Sequence, residues 1–112
     1  MDATWEQHCG DRWRLAVLTA TTHDICAIVG PSPRRAGELA AMMRRLGVGD
    51  LSGLVSTVHG PSVSPRLARR GDVVRKGWAL GICRGELAEY FGGMMLPIGE
   101  ADEAWPIASW PG

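Results

Sequence analysis

The sequence predicts an α+β fold in which three N-terminal helices pack on a small antiparallel β-sheet. Through the first half of the chain, up to about residue 60, apolar residues recur at helical spacing. From residue 72 onwards they come instead in short runs separated by glycine-containing turns, which is typical of strands. A block of helices followed by a block of strands favours an α+β architecture over an alternating α/β one.

The first helix is expected from Gly10 to about Thr22, because apolar residues are spaced there to form one stripe. Asp11 falls in its first turn, where a negative charge suits the helix dipole. This placement puts Cys9 at the N-terminal end of the helix. The residues expected on the buried face are Trp13, Ala16, Val17 and Ala20.

Two further helices are bounded by residues typical of helix ends. Ser32 and Pro33 suit the N-cap and the first position of the second helix, and Gly47 suits its C-terminal end. Asp50 and Gly60 bound a shorter third helix in the same way. The residues expected to be buried are Ala36, Leu39, Ala40 and Met43 in the second helix and Leu51, Leu54, Val55 and Val58 in the third.

The second half of the chain is expected to form strands after an extended connector. Residues 61–70 contain two prolines and lead into the sheet. A stub of helix near residues 100–104 and an extended tail over about 105–112 complete a single domain of residues 1–112. The predicted strands are residues 72–76, 78–84, 87–91 and 94–98.

Composition narrows the classes of function. The 112 residues have a formal net charge of +0, so no whole-chain field attracts nucleic acid or an anionic membrane. No apolar segment approaches the ~20 residues that span a bilayer, and no signal peptide is visible. Cys9, Cys26 and Cys83 have neither paired nor metal-ligand spacing. We therefore expect synthesis in a cytoplasm, no disulfide framework, no metal, no cofactor, no nucleic-acid partner and no membrane insertion.

Cys9 is the candidate nucleophile. A cysteine at a helix N-terminus next to a small antiparallel sheet is the layout of a thiol hydrolase. The helix dipole lowers the thiol pKa, and backbone N–H groups of the first turn can hold an oxyanion. The thiolate then needs a base, usually a histidine supplied by the sheet. The competing interpretation is that Cys9 is a small, half-buried apolar residue, the usual role of a free cysteine.

Four segments that follow Cys9 carry a resemblance to a known family. They are "TTHD" (21–24), "RRAGELAAMMRRLG" (34–47), "HGPSVSPRLARRGDVV" (59–74) and "ALGICRG" (79–85). In order and spacing they resemble the NlpC/p60 family of papain-like cysteine peptidases. More closely, they resemble its short, degenerate members encoded beside tail-tip genes of tailed phages and gene transfer particles. The likeness spans roughly residues 5–107, and it implies a minimal papain-like fold in a virion tail tip.

The same resemblance implies an incomplete set of catalytic residues. Cys9 matches the nucleophile position of the family. The peptidases have His-Val-Gly-Ile on the second strand, and alignment on Gly81 places Ala79 where that histidine stands. The polar group that orients the histidine comes from the following strand, near Tyr90 and Phe91, and neither is a good match. The resemblance therefore implies a nucleophile position that has lost its base.

Two functions from different classes remain open. The first is a structural or adaptor component of a phage-type tail tip or baseplate, built on a catalytically inactive cysteine-peptidase fold. Its partners would be other tail proteins, such as hub or distal tail proteins, and it would be made in the bacterial host cytoplasm. The alternative is a peptidoglycan endopeptidase in which Cys9 acts with His8 or His59 as a relocated base. His59 precedes a Gly-Pro break and is expected in a loop.

Two tryptophans near the C-terminus are the candidate contacts with a partner. Trp105 and Trp110 lie in a proline-flanked tail, where large aromatic side chains are hard to bury in a small domain. The alternative is that this tail folds back on its own sheet.

Overall fold

A computed structural model describes residues 13–19, 21, 24–30, 36–90 and 93–107. In this part of the chain four α-helices are followed by a five-stranded antiparallel sheet, which confirms the α+β class. None of the helices within these ranges has the length and apolar character needed to cross a membrane. The helices are α1 (13–19), α2 (Cys26–Val29), α3 (Ala36–Leu46) and α4 (Leu51–His59), and the 3₁₀ turns are η1 (Pro65–Leu67) and η2 (Ile98–Glu100).

Helices α1 and α3 bury most of the residues that periodicity predicts. Ala16 and Val17 of α1 are buried as expected, and so is Leu39 of α3. Ala40, expected inside, is exposed, and Met42 is buried in its place. The turn of α3 that faces the core thus presents the long, adaptable methionine side chain, which removes more apolar area from water than a single methyl group would.

Helix α2 is not among the three predicted helices, and its residues Cys26–Val29 form a single helical turn. Asp24 begins it by accepting a hydrogen bond from the Cys26 amide at 3.0 Å. The same carboxylate receives two hydrogen bonds from Arg14, at 2.9 and 2.7 Å, which tie α2 to α1. Arg14 is the main reason that the pKa of Asp24 is lowered to about 2.

Helix α4 matches its prediction from end to end. The Asp50 side chain accepts a hydrogen bond from the Gly53 amide at 2.7 Å, which is an N-cap. Gly60 follows the helix with a φ of 79°, a backbone conformation that favours glycine. The four residues expected to face the core, Leu51, Leu54, Val55 and Val58, are all buried.

The sheet confirms four predicted strands and adds a fifth. Its order is β4-β3-β2-β1-β5, and each neighbouring pair is antiparallel. Residues 100–104 were expected to be a helical stub, but β5 pairs with β1, where Trp105 lies opposite Val73. Three residues are too few to show a strand periodicity, so pairing with β1 decides their conformation. The strands are β1 (Val73–Lys76), β2 (Ala79–Cys83), β3 (Leu87–Glu89), β4 (Met95–Pro97) and β5 (Glu103–Trp105).

Both faces of the sheet are covered at strands β1 and β2, whereas β3 and β4 leave Leu87 and Met95 exposed. Alternate residues of a strand point to opposite faces, and on one face Val73, Leu80 and Ile82 pack with the helices, α1 included. On the other face the residues of a second cluster are packed against the connector through Val63 and Ala68. The buried members of this second cluster are Val74, Cys83, Ala88, Tyr90, Ala101 and Ala104.

Candidate functional site

The expected site residues fall into two groups. Cys9, His8 and Trp110 lie outside the described residues. Ala79, His59 and Trp105 lie within them, and their surroundings can be compared with what each proposed role requires.

Ala79 begins strand β2 and pairs with Lys76 across the β1–β2 hairpin. By strand alternation it shares a face with Gly81 and Cys83, opposite the helix-facing Leu80. Because it stands at the end of the strand, its half-buried methyl group packs against both hydrophobic clusters. The position that the resemblance assigns to the base thus carries a group that can neither accept nor donate a proton.

Tyr90 lies near the position assigned to the orienting group. Its ring packs closely on Gly81, where an added Cβ would lie 2.8 Å from Tyr90 Cδ1. The residue is 3% exposed, and its hydroxyl has no hydrogen-bond partner among the described residues. Burial, followed by the charges of Asp102 and Glu100, raises its pKa above the usual 10.0. This neutral hydroxyl belongs to the cluster on the face away from the helices.

His59 is the last residue of α4 and not the loop residue that was expected. Its ring is half-buried and stands edge-on to Trp13, with 6.1 Å between the ring centroids and 61° between the planes. The indole Nε1–H of Trp13 donates a hydrogen bond to His59 Nε2 at 3.0 Å. The contact joins the end of α4 to the first described residue of α1.

The chemistry of this hydrogen bond defines the state of His59. An indole N–H can only donate, so Nε2 must carry the ring's lone pair and the proton lies on Nδ1. Burial lowers the pKa of His59 from 6.5 to about 4, so the ring is neutral at pH 7. In a cysteine–histidine pair, the lone pair faces the thiol and an accepting group orients the other nitrogen. In this structure the lone pair faces the indole N–H of Trp13 instead of a thiol, so it is already engaged.

Asp72, the buried acidic residue that follows Gly71, is a structural junction. Its side chain accepts hydrogen bonds from the backbone amides of Arg69 at 2.8 Å and Ile107 at 3.4 Å. Its carbonyl oxygen accepts the amide of Cys83 at 2.8 Å. The carboxylate therefore ties the connector and the chain after β5 to the start of β1.

Within the described ranges, no three histidine, cysteine, aspartate or glutamate side chains form a group that could hold a metal ion.

Trp105 does not have the surface position that a partner anchor requires. Its side chain is 0% exposed, and its Nε1–H donates to Ser56 Oγ of α4 at 3.0 Å. The segment around it pairs with β1 as a strand, in agreement with the alternative of a tail folded back on its own sheet, so the indole is not exposed to a partner here. Among the described residues, the tryptophan that is exposed is Trp78, which no sequence pattern singled out as a partner contact; it is 55% exposed beside Gly77 in the β1–β2 turn.

Comparison with known proteins gives a family match over nearly the whole chain. The model of a domain of unknown function, DUF6950, matches residues 2–107. No curated protein and no solved structure matches the chain.

Proposed function

The chain belongs to the DUF6950 family of domains of unknown function, and we propose that it is a structural or adaptor component of a phage-type tail tip or baseplate. The proposed fold is a minimal papain-like, NlpC/p60-type domain without catalytic activity. Its proposed location is the virion, after synthesis in the cytoplasm of the bacterial host. Its proposed partners are other tail proteins, such as hub or distal tail proteins.

The observation that carries the proposal is that neither of two candidate positions, Ala79 and His59, presents a free base. Ala79 offers only a methyl group, and the Nε2 lone pair of His59 accepts the indole hydrogen of Trp13. A cysteine without a base keeps only the help of its helix dipole, whereas general-base assistance is typically worth ~10²–10⁴-fold in rate. The loss of that assistance favours a role for Cys9 other than catalysis.

The architecture also supports a non-catalytic role. Helices cover one face of strands β1 and β2 and the connector covers the other, so these two strands form an interior layer. The β1–β2 and β2–β3 hairpins turn through two and three residues respectively, between Lys76 and Ala79 and between Cys83 and Leu87. Neither turn contains an insertion that could wall a substrate cleft. A small domain of this kind can act as a rigid wedge between larger proteins.

One contact favours the second candidate, a peptidoglycan endopeptidase that uses Cys9. Trp13 follows Cys9 by four residues in sequence, and it holds the imidazole of His59 beside α1. Release of the Trp13 hydrogen bond would return the Nε2 lone pair to His59. This candidate requires that purified chain release soluble muropeptides from peptidoglycan and that Cys9→Ser abolish the release.

The proposal is tested on purified particles from the strain that encodes the chain. Quantitative mass spectrometry of gradient-purified particles should find it at a fixed ratio to the other tail proteins. A strain lacking the gene is the matched control, and it should yield particles with incomplete or absent tail tips. Absence of the chain from purified wild-type particles, or Cys9-dependent cleavage of peptidoglycan, would overturn the proposal.

A further inference from the structure

Strand β4 is the last strand on its side of the sheet, and no described strand pairs with its outer edge. In an antiparallel ladder, hydrogen-bonded residue pairs alternate with pairs whose N–H and C=O groups point away from each other. The Tyr90 amide donates to the Met94 carbonyl at 2.8 Å, so the next pair, Glu89 and Met95, is of the second kind. Met95 therefore directs both its N–H and its C=O away from β3, outward from the sheet.

The opposite edge of the sheet is already paired. Ala104 of β5 exchanges two hydrogen bonds with Val63 of the connector, at 2.8 and 3.0 Å. Among the described strands, β4 is thus the one with an edge available to another chain. Association through a single edge closes after two copies and cannot grow into a filament.

Exposed apolar side chains cluster at the same edge. Leu87, Met94 and Met95 are 42%, 56% and 43% exposed. Leu87 and Met95 lie on one face of the sheet, because Leu87 stands two residues before Glu89, the partner of Met95. Natural proteins commonly protect an open edge with charged side chains, but residues 93–99 carry none. An apolar surface of this kind is typical of an interaction site.

The edge is complementary to a second copy of itself. When two β4 strands pair antiparallel about Met95, each Met95 amide donates to the carbonyl of the other, which completes one hydrogen-bonded pair. Met94 then lies opposite Leu96 of the second copy. Side chains at a two-fold axis meet their own copies, so a charge there would be repelled, and the uncharged edge avoids this penalty. The next pair would set Pro97 opposite Gly93, and proline has no N–H to continue the ladder.

We propose that this chain forms a two-fold symmetric dimer through β4, with Met95 paired to Met95 of the second copy. The two sheets then join into one continuous antiparallel sheet. Dimerisation buries Leu87, Met94 and Met95, and the removal of their apolar area from water supplies most of the binding energy. The inference concerns the chain alone and does not rest on the proposed function.

Sedimentation of the purified chain from about 1 µM to about 1 mM tests the dimer. We expect wild type to show a monomer–dimer equilibrium. Met95→Lys brings two like charges together at the axis and should raise the dissociation constant of the dimer at least about tenfold. Leu67→Lys makes the matched change at an exposed side chain of η1 and should leave that constant unchanged. Urea denaturation checks that both variants keep the fold, since both side chains are exposed.

A mixing experiment tests the two-fold axis. Met95→Glu should be as monomeric as Met95→Lys, but an equimolar mixture of the two should dimerise, because opposite charges then face each other. Wild type that stays monomeric over the whole range would overturn the dimer and leave the proposed function standing. A dimer that Met95→Lys does not weaken, or that Leu67→Lys weakens equally, would overturn it as well, because the contact would lie elsewhere. A mixture that remains monomeric would contradict the pairing of Met95 with its own copy.

Discussion

Trp13 and His59 meet through their ring nitrogens although 46 positions separate them in sequence. No local pattern predicts such a contact, which is why the Gly-Pro break after His59 indicated only a loop. The contact explains more than the placement of one residue. It sets the tautomer of His59 and engages the lone pair that a general base would use, while burial of the ring lowers its pKa and keeps it neutral.

The depressed pKa of His59 predicts a loss of stability in mild acid. The folded pKa is about 4 and the ordinary value is 6.5, so between these values the unfolded chain binds a proton that the folded chain does not. The contribution is complete above about pH 6.5 and is lost as the pH falls to about 4. Because the ring is partly exposed, we expect the free energy of unfolding to fall by the order of 1 kcal/mol.

Urea denaturation near pH 7 and near pH 4.5 measures this loss. His59→Gln keeps a hydrogen-bond acceptor but removes the titrating group, so it should lose clearly less stability over the same interval. Asp24 does not confuse the comparison, because its pKa is lowered from 3.8 to about 2 and its contribution is lost at lower pH. Identical pH dependence in wild type and His59→Gln would contradict the assignment.

Ala79→His tests whether Ala79 occupies the former base position. If it does, an imidazole placed there lies beside Cys9, lowers the thiol pKa and raises the rate of alkylation at neutral pH. Enzymatic activity need not return, because the resemblance gives no match near Tyr90 for the polar group that holds the imidazole in one tautomer. The measurement is the alkylation rate of Cys9 followed by mass spectrometry.

The control for that experiment is Ala79→His in a Cys9→Ser background, which reports any reaction of Cys26 and Cys83. An unchanged rate in a folded variant would mean that Ala79 and Cys9 do not face each other. The papain-like alignment of the second strand would then be wrong.

At the scale of elements, the helices and strands that end at capping residues or at glycine-containing turns could be predicted from the sequence. Asp50 and Gly60 bound α4 as expected, and glycine-containing turns separate the first strands. The elements that were missed, α2 and β5, have four and three residues, too few for a periodic pattern. Their conformation depends on partners elsewhere: Arg14 for the turn before α2, and strand β1 for β5.

Asp72 joins three elements, and its loss should destabilise the domain. Asp72→Ala leaves the amides of Arg69 and Ile107 without their acceptor in a buried site, which should cost about 2 kcal/mol in the free energy of unfolding. Asp72→Asn keeps one acceptor oxygen and should cost less. Urea denaturation of the three proteins checks the order; wild-type stability in Asp72→Ala would show that the junction contributes nothing.

Strand β5 contributes the fully buried side chain of Trp105 to the core, so its loss should destabilise the domain. Trp105→Ala is expected to lower the free energy of unfolding by about 3–5 kcal/mol, because it empties a fully buried site under α4. Trp78→Ala, the matched exposed position, should change it by no more than about 0.5 kcal/mol. Thermal or urea unfolding distinguishes the two. Equal, small effects would place Trp105 outside the core and restore it as a partner contact.

At the scale of the whole molecule, helices, sheet and connector form a domain whose described interior holds both clusters, with Trp78 projecting from one end of the sheet. The α+β class followed from composition and periodicity, since both are averages over many residues. The candidate site did not, because it depends on contacts such as Trp13–His59. Such contacts between distant residues are decided by packing.

The central claim, that this chain acts without catalysis, is tested most directly by Cys9→Ser in infectious particles. The substitution replaces a sulfur by an oxygen at the position that the resemblance matches to the nucleophile of the NlpC/p60 peptidases. Particle yield and infectivity are measured against wild type, together with the release of wall fragments from the host. We expect all three to be unchanged. Particles that assemble normally but fail to penetrate the cell wall would contradict it and establish Cys9 as the nucleophile of an endopeptidase.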